Sequence, residues 1–210
     1  MSHCRFCGIV RGAYNHPMVD RPFAENSDFI AVASIGALVE GWSLVVPKTH
    51  QTSMRDCYAN PLLIEMADLV IPRVVDRYGP AVVFEHGANR DGSLTSCGTD
   101  HAHLHILPLA ETLLPDMMAS GLAWIRCTPQ EIAAISDGKE YLFYADLPGH
   151  SWGNPKGHAH VLEKPTSQFF RRLIARRIGE GEAADYKIFP RVEASLHTRR
   201  ALAVEVAHSD

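Results

Sequence analysis

The 210-residue chain has no excess of positive charge: 20 Lys+Arg face 24 Asp+Glu, for a formal net charge of −4. That balance excludes a strongly basic binder of nucleic-acid polymers, whose affinity is built from clustered cations against phosphates. Long apolar runs are missing as well. The best of them, Trp42–Val46 and Ala81–Phe84, fall far short of the roughly 20 residues a spanning helix needs, so no membrane partner is expected. No internal repeat and no low-complexity linker is visible. With 46% apolar and 21% charged residues the chain has the composition of a packed globular protein and not of a disordered one. Cysteine is scarce and odd in number, five in all, which argues against a disulfide framework. Residues 1–10 carry two cysteines and a histidine where a secretory signal would need an apolar stretch, so a cytoplasmic protein is expected.

What the chain does have is histidine, 12 residues and several of them clustered. Imidazole titrates near neutrality and ligates metals, so these clusters are where chemistry is sought. The pair Cys4-x-x-Cys7 reads as half of a metal site or as a redox pair. A redox pair normally follows a strand, and nothing before Cys4 supplies one.

The apolar pattern predicts a strand over Phe29–Ser34 and a second over Trp42–Val46, joined by a tight turn region as an antiparallel hairpin. Leu62, Leu63, Met66, Leu69, Val70 and Val74 recur at spacings of three and four and predict a helix over Pro61–Tyr78. Asn60 can cap it, Gly79-Pro80 ends it, and Pro72 can kink it. Strands are predicted at Ala81–Glu85 and at His101–Leu109, with a loop of functional length, His86–Asp100, between them. Further on, the pattern suggests a capped helix over Thr128–Asp137, a short strand at Tyr141–Tyr144, a loop at His150–Gly157 and a basic amphipathic helix over Thr166–Arg177. His158 and His160 alternate as the earlier histidines do but number only two, and are assigned a loop role; fraying is expected from Val204. Strand, strand, helix, strand, strand describes an α+β fold with an antiparallel sheet and packed helices.

The run His101-Ala102-His103-Leu104-His105-Ile106-Leu107 is the strongest signal. In a strand it puts three imidazoles on one face and Ala102, Leu104 and Ile106 on the other. The run resembles the motif of the histidine-triad (HIT) superfamily, three histidines separated by apolar residues. Val45-Val46-Pro47-Lys48-Thr49-His50 is similar to a segment that precedes the triad in that family. The Cys4-x-x-Cys7 opening is similar to its zinc-containing branch and to galactose-1-phosphate uridylyltransferases. The resemblance covers roughly residues 3–110, which would form a HIT-like catalytic domain (1–110), with residues 111–210 as a C-terminal α/β extension packing on that core.

The resemblance implies nucleotidyl chemistry at an α-phosphate. His103, the middle histidine, would be the nucleophile, and its second ring nitrogen should be held protonated by a backbone carbonyl or similar acceptor. His105 would donate to the phosphoryl group. A structural Zn2+ would be held by Cys4, Cys7, His50 and His101. Ser34 and Ile35 would lie at the ribose, Asn89 at phosphate or ribose, and Cys97 and Gly98 at the leaving group. The family commonly carries an acidic residue where Ser34 falls, and Gln or Ser where Cys97 and Gly98 fall. In the predicted basic helix, Gln168 and Arg171 are the candidates to reach a polyphosphate, since guanidinium pairs with phosphate through two N–H groups. His86 is a candidate further phosphate donor. The expected ligand is a small nucleotide conjugate: a phosphoramidate, a dinucleoside polyphosphate or a nucleotide sugar. Water or another acceptor, phosphate included, would release the nucleotide. A non-catalytic nucleotide-binding regulator and a pure metal-binding module are the alternatives. Small members of the family often dimerise, and the extension could instead occupy that surface, so homodimer and monomer both stay open.

Overall fold

Every strand among the described residues belongs to one sheet. A computed structural model describes residues 4–203. Its strands are β1 (Ala24–Glu25), β2 (Phe29–Ala33), β3 (Ser43–Pro47), β4 (Ala81–Gly87), β5 (Leu104–Pro108), β6 (Ile125–Cys127), β7 (Tyr141–Leu147) and β8 (Gly157–Val161). They form an eight-stranded sheet in the order β1-β2-β3-β5-β4-β7-β8-β6, antiparallel at every pairing. The helices are α1 (Arg5–Val10), α2 (Pro17–Asp20), α3 (Pro61–Tyr78), α4 (Leu114–Ala119), α5 (Ile132–Ser136), α6 (Phe169–Arg177) and α7 (Val192–Leu202). The fold is α+β, as expected. No described helix is long and apolar enough to cross a membrane.

Both faces of the sheet are covered, which is why β2, β3, β4 and β5 are buried at every position. On one face, α3 inserts Leu63, Met66, Ala67, Val70, Ile71 and Val74 against Ala31, Val45, Leu104, Ile106 and Val83. α3 has the predicted bounds because its signals are local: the Asn60 side chain accepts from the Leu62 N–H at 2.9 Å, Pro61 opens the first turn, and Gly79 stops it at φ 95°. The other face carries Val32, Leu44, Phe84 and Leu142 beneath Phe6 of α1 and Phe170 of α6. In β5, Leu104 and Ile106 belong to the first face, so His105 lies on the second.

The structure departs from the sequence expectations in several places. The triad strand starts at Leu104 and not at His101. The next rungs would set Ala102 against Pro47, which has no N–H to donate; the Ala102 N–H instead reaches the Gln51 carbonyl at 2.6 Å. His158 and His160 are not in a loop but on β8, whose strand character comes from pairing with β6 and β7 on either side. The short strand at Tyr141 runs on to Leu147, because β4 offers it seven partners. α6 begins at Phe169, since Gln168 stands at φ 55°. The helices α2, α4 and α7 had no clear periodic signal. The fraying expected from Val204 lies outside the described residues.

Candidate active site and metal cluster

The hydrogen bonds made by each imidazole decide which of its nitrogens is free. The Trp42 Nε1–H donates to His105 Nδ1 at 2.9 Å, so the neutral ring carries its proton on Nε2. Phe84 stacks on it with ring centroids 4.2 Å apart. Burial holds its pKa well below the ordinary histidine range, so the ring stays neutral and Nε2–H remains a donor. His103 has the opposite tautomer. Its Nδ1 lies 2.8 Å from the His101 carbonyl; a carbonyl only accepts, so Nδ1 bears the proton and Nε2 keeps a lone pair. His103 is half-buried, 5.5 Å from the Phe6 ring and 4.7 Å from the His105 ring. His86, from β4, accepts from the Phe170 N–H at 3.4 Å, and burial lowers its pKa to about 3.

His101 turns the other way. Its Nε2 donates to the Pro47 carbonyl at 2.7 Å, which leaves Nδ1 facing Cys4 Sγ at 3.3 Å and Cys7 Sγ at 3.6 Å. His50 Nδ1 lies 3.2 Å from Cys7 Sγ, with its Nε2 3.3 Å from Asp91 Oδ1. The four donor atoms of Cys4, Cys7, His50 and His101 lie within 4.8 Å of one another. A tetrahedral ion with metal–sulfur ~2.3 Å and metal–nitrogen ~2.0 Å sets S···N edges near ~3.5 Å, which these distances match. Each imidazole also has its far nitrogen engaged by a carbonyl or a carboxylate, the arrangement that orients metal-ligating histidines. The cluster could hold a metal ion. Partial burial, and then the neighbouring Cys4, push the Cys7 thiol pKa up, so binding a cation there would displace protons.

His103, His105 and His86 line one cleft, which Ser34, Ile35, Cys97 and Arg171 also border. These residues come from the end of β2, from β4 and β5, from the loop after β4 and from α6. Arg171 is only 4% exposed yet has no carboxylate partner among the described residues. Its Nε donates to the Ala184 carbonyl at 3.0 Å and its Nη2 to that of Gly36 at 2.7 Å, and it lies 5.0 Å over the Trp42 ring. Burial lowers its pKa to about 10, so it remains a cation at neutral pH, and among the described residues no Asp or Glu lines the cleft.

Three of the expected contacts are not among the residues that line this cleft. Asn89 is exposed and borders a separate hollow of about 480 Å³ with Lys139 and Glu140, which no imidazole lines. Gln168 serves through its backbone, donating its N–H to Cys97 Sγ at 3.1 Å. Gly98, at φ 83°, stands beside the Lys187 ammonium. Sequence reasoning missed Trp42, Phe6, Arg5 and Tyr186. Trp42 carried a usable signal, because it sits two residues before Leu44, the cross-strand partner of His105. Tyr186, whose hydroxyl donates to the Cys97 carbonyl at 3.0 Å, carried none.

The fold and the site together define an antiparallel α+β protein with a histidine-lined cleft beside a Cys2His2 cluster. Among the solved structures to which the chain is similar, two illustrate the likeness. One is a Hit-like protein involved in cell-cycle regulation from Bartonella henselae, at 22% identity over 52% of this chain and 77% of that one, with a TM-score of 0.40. The other is a hypothetical histidine triad nucleotide-binding protein from Sulfolobus tokodaii strain 7, also at 22% identity, over 52% of this chain and 70% of that one, with a TM-score of 0.37. No protein-family model matches the chain, and no curated protein matches it.

Proposed function

We propose that this protein is a nucleotidyl hydrolase or transferase of the histidine-triad type, acting at the α-phosphate of a nucleotide conjugate. The observation that carries the reading is the pair of opposed tautomers in one cleft: a His103 ring with an unprotonated Nε2, beside a His105 ring with a protonated one. The first is a nucleophile and the second a hydrogen-bond donor. The His103 Nε2 lone pair forms a bond to the α-phosphorus, and the bond from that phosphorus to the conjugated group breaks. The leaving group departs with the electron pair and takes a proton. The resulting nucleotidyl-imidazole is then attacked by water, which releases a nucleoside monophosphate, or by another acceptor such as phosphate. His105 Nε2–H and the Arg171 guanidinium stabilise charge on the phosphoryl oxygens. Ser34 and Ile35 serve the nucleoside side of the cleft and Cys97 the leaving-group side. Asn89, Gly98 and Gln168 stay in the proposal only as residues around its outer rim.

In this reading residues 1–110 supply the chemistry, and residues 111–210 close the cleft through Arg171 and Tyr186. As it stands the cleft has about 40 Å³ of open space, whereas a ligand pocket usually offers roughly 300 Å³ or more. A nucleotide therefore needs this cleft to widen. The metal is zinc in a structural role. Its four protein ligands would leave no open position for water, and its part is to hold α1 and His101 against the sheet.

The deciding experiment is a substrate screen with phosphoramidates, dinucleoside polyphosphates and nucleotide sugars, with and without phosphate as acceptor, followed by acid-free quenching and mass measurement. A nucleotide-sized increment on His103 is expected. Turnover that survives His103→Ala refutes the mechanism.

A further inference from the structure

Arg5 sits between the two cysteines of the Cys4/Cys7 pair, on a helix that brings Phe6 within 5.5 Å of the His103 ring. Its side chain lines the same cleft as His103 and His105. One edge of its guanidinium is anchored: Nη2 donates to Asp20 Oδ1 at 2.5 Å. Asp20 is fully buried, and its other oxygen accepts from the His16 N–H at 2.8 Å, so the anchor is itself fixed. The Nε–H is different. It is buried and has no hydrogen-bond partner among the described residues. Leaving a buried N–H unpaired is costly, and such groups are rare unless a ligand or water completes them.

The geometry points to Arg5 as a phosphoryl-contacting residue of this cleft, positioned by Asp20 and offering the outer N–H groups that Asp20 leaves free to an oxygen of the phosphate that His103 faces. The inference rests on the nucleotidyl reading of the site and adds to it a donor from the opposite end of the chain to Arg171. Anchoring one edge of the fork on a buried carboxylate leaves the remaining N–H groups in a fixed orientation, which is what a guanidinium offers over an ammonium. Because Asp20 does not line the cleft, it neither competes for the phosphate nor repels it.

The test compares wild type with Arg5→Lys and Arg5→Gln by calorimetry, using inorganic phosphate and adenosine monophosphate as probes, together with melting temperature. Arg5→Lys keeps a cation for Asp20 but loses the fork's remaining N–H groups. It should weaken both probes by about tenfold or more while melting within a few degrees of wild type. A role confined to the Asp20 pair predicts instead a lower melting temperature with unchanged affinities. Unchanged phosphate affinity in both variants overturns the assignment, as does a wild-type protein that binds neither probe. Adduct formation on His103 reports on the underlying reading separately. If no adduct forms while phosphate still binds and still depends on Arg5, the covalent reading fails and the Arg5 site stands.

Discussion

Trp42 decides which nitrogen of His105 carries a proton, and a single indole N–H does it. Trp42→Phe removes that donor and leaves a buried imidazole free to exchange tautomers. It should slow turnover roughly a hundredfold, the usual cost of losing one preorganised donor. The check is kcat, read with histidine nitrogen chemical shifts that report the tautomer. His103→Ala should lose several orders of magnitude in turnover with metal content and melting temperature unchanged. His86 makes a pH prediction. Its folded pKa is about 3 against an ordinary 6.5, because it is buried and faces His103, Arg171 and Arg172. Between those values the unfolded chain binds the proton and the folded one does not. This contribution to stability is whole above pH 6.5 and is lost as the pH falls toward 3. Denaturant midpoints of wild type should drop through that window more steeply than those of His86→Gln; parallel curves would contradict it.

At the scale of elements, two short pieces carry more than their length suggests. α1 is six residues long, below what is stable as an isolated helix. It is held by Phe6 and Ile9 in the core and by the cysteines on either side of Arg5. Cys7→Ser is expected to lower metal content below one per chain and to reduce the melting temperature by several degrees, and chelation of the wild type should do the same. β8 depends on Gly157, where a Cβ would stand 2.3 Å from the Tyr144 carbonyl oxygen. Gly157→Ala should destabilise by about 1–3 kcal/mol, measured as a shift in denaturant midpoint. A shift under a few tenths would mean that β7 and β8 part easily.

Across the whole molecule, the first and second halves of the chain share one sheet. β4 meets β7 in register over seven residues, and the buried Glu85 carboxylate on β4 is held by the Tyr58 and Tyr141 hydroxyls at 2.6 and 2.5 Å. Burial raises the Glu85 pKa, opposed by those hydrogen bonds. A chain cut after residue 110 would lose Tyr141 from Glu85, Phe170 from Phe84 and the β4 edge. It should show no cooperative thermal transition and should aggregate through that edge. A soluble, cooperatively melting fragment would show that the sheet's first five strands suffice.

The sequence by itself determined what short-range chemistry specifies. The bounds of α3 follow from Asn60, Pro61 and Gly79, and the β2–β3 hairpin from two apolar runs. The Cys4-x-x-Cys7 pair by itself read as half of a metal site, and the resemblance to the histidine-triad family supplied His50 and His101, whose donor atoms the structure brings within 4.8 Å of the two thiols. Only the tertiary structure decided the roles of the imidazoles. The same residue type at 101, 103 and 105 faces the two cysteines, the cleft and a tryptophan because the Pro47 carbonyl takes the Nε2 of the first ring, the His101 carbonyl the Nδ1–H of the second, and the Trp42 N–H the Nδ1 lone pair of the third. Those partners are up to 63 residues away. Periodicity reports which face a side chain takes, whereas a tautomer depends on whatever the rest of the fold places within hydrogen-bonding reach. The same reason hid Arg5, Tyr186 and the strand nature of β8, each set by contacts distant in the chain.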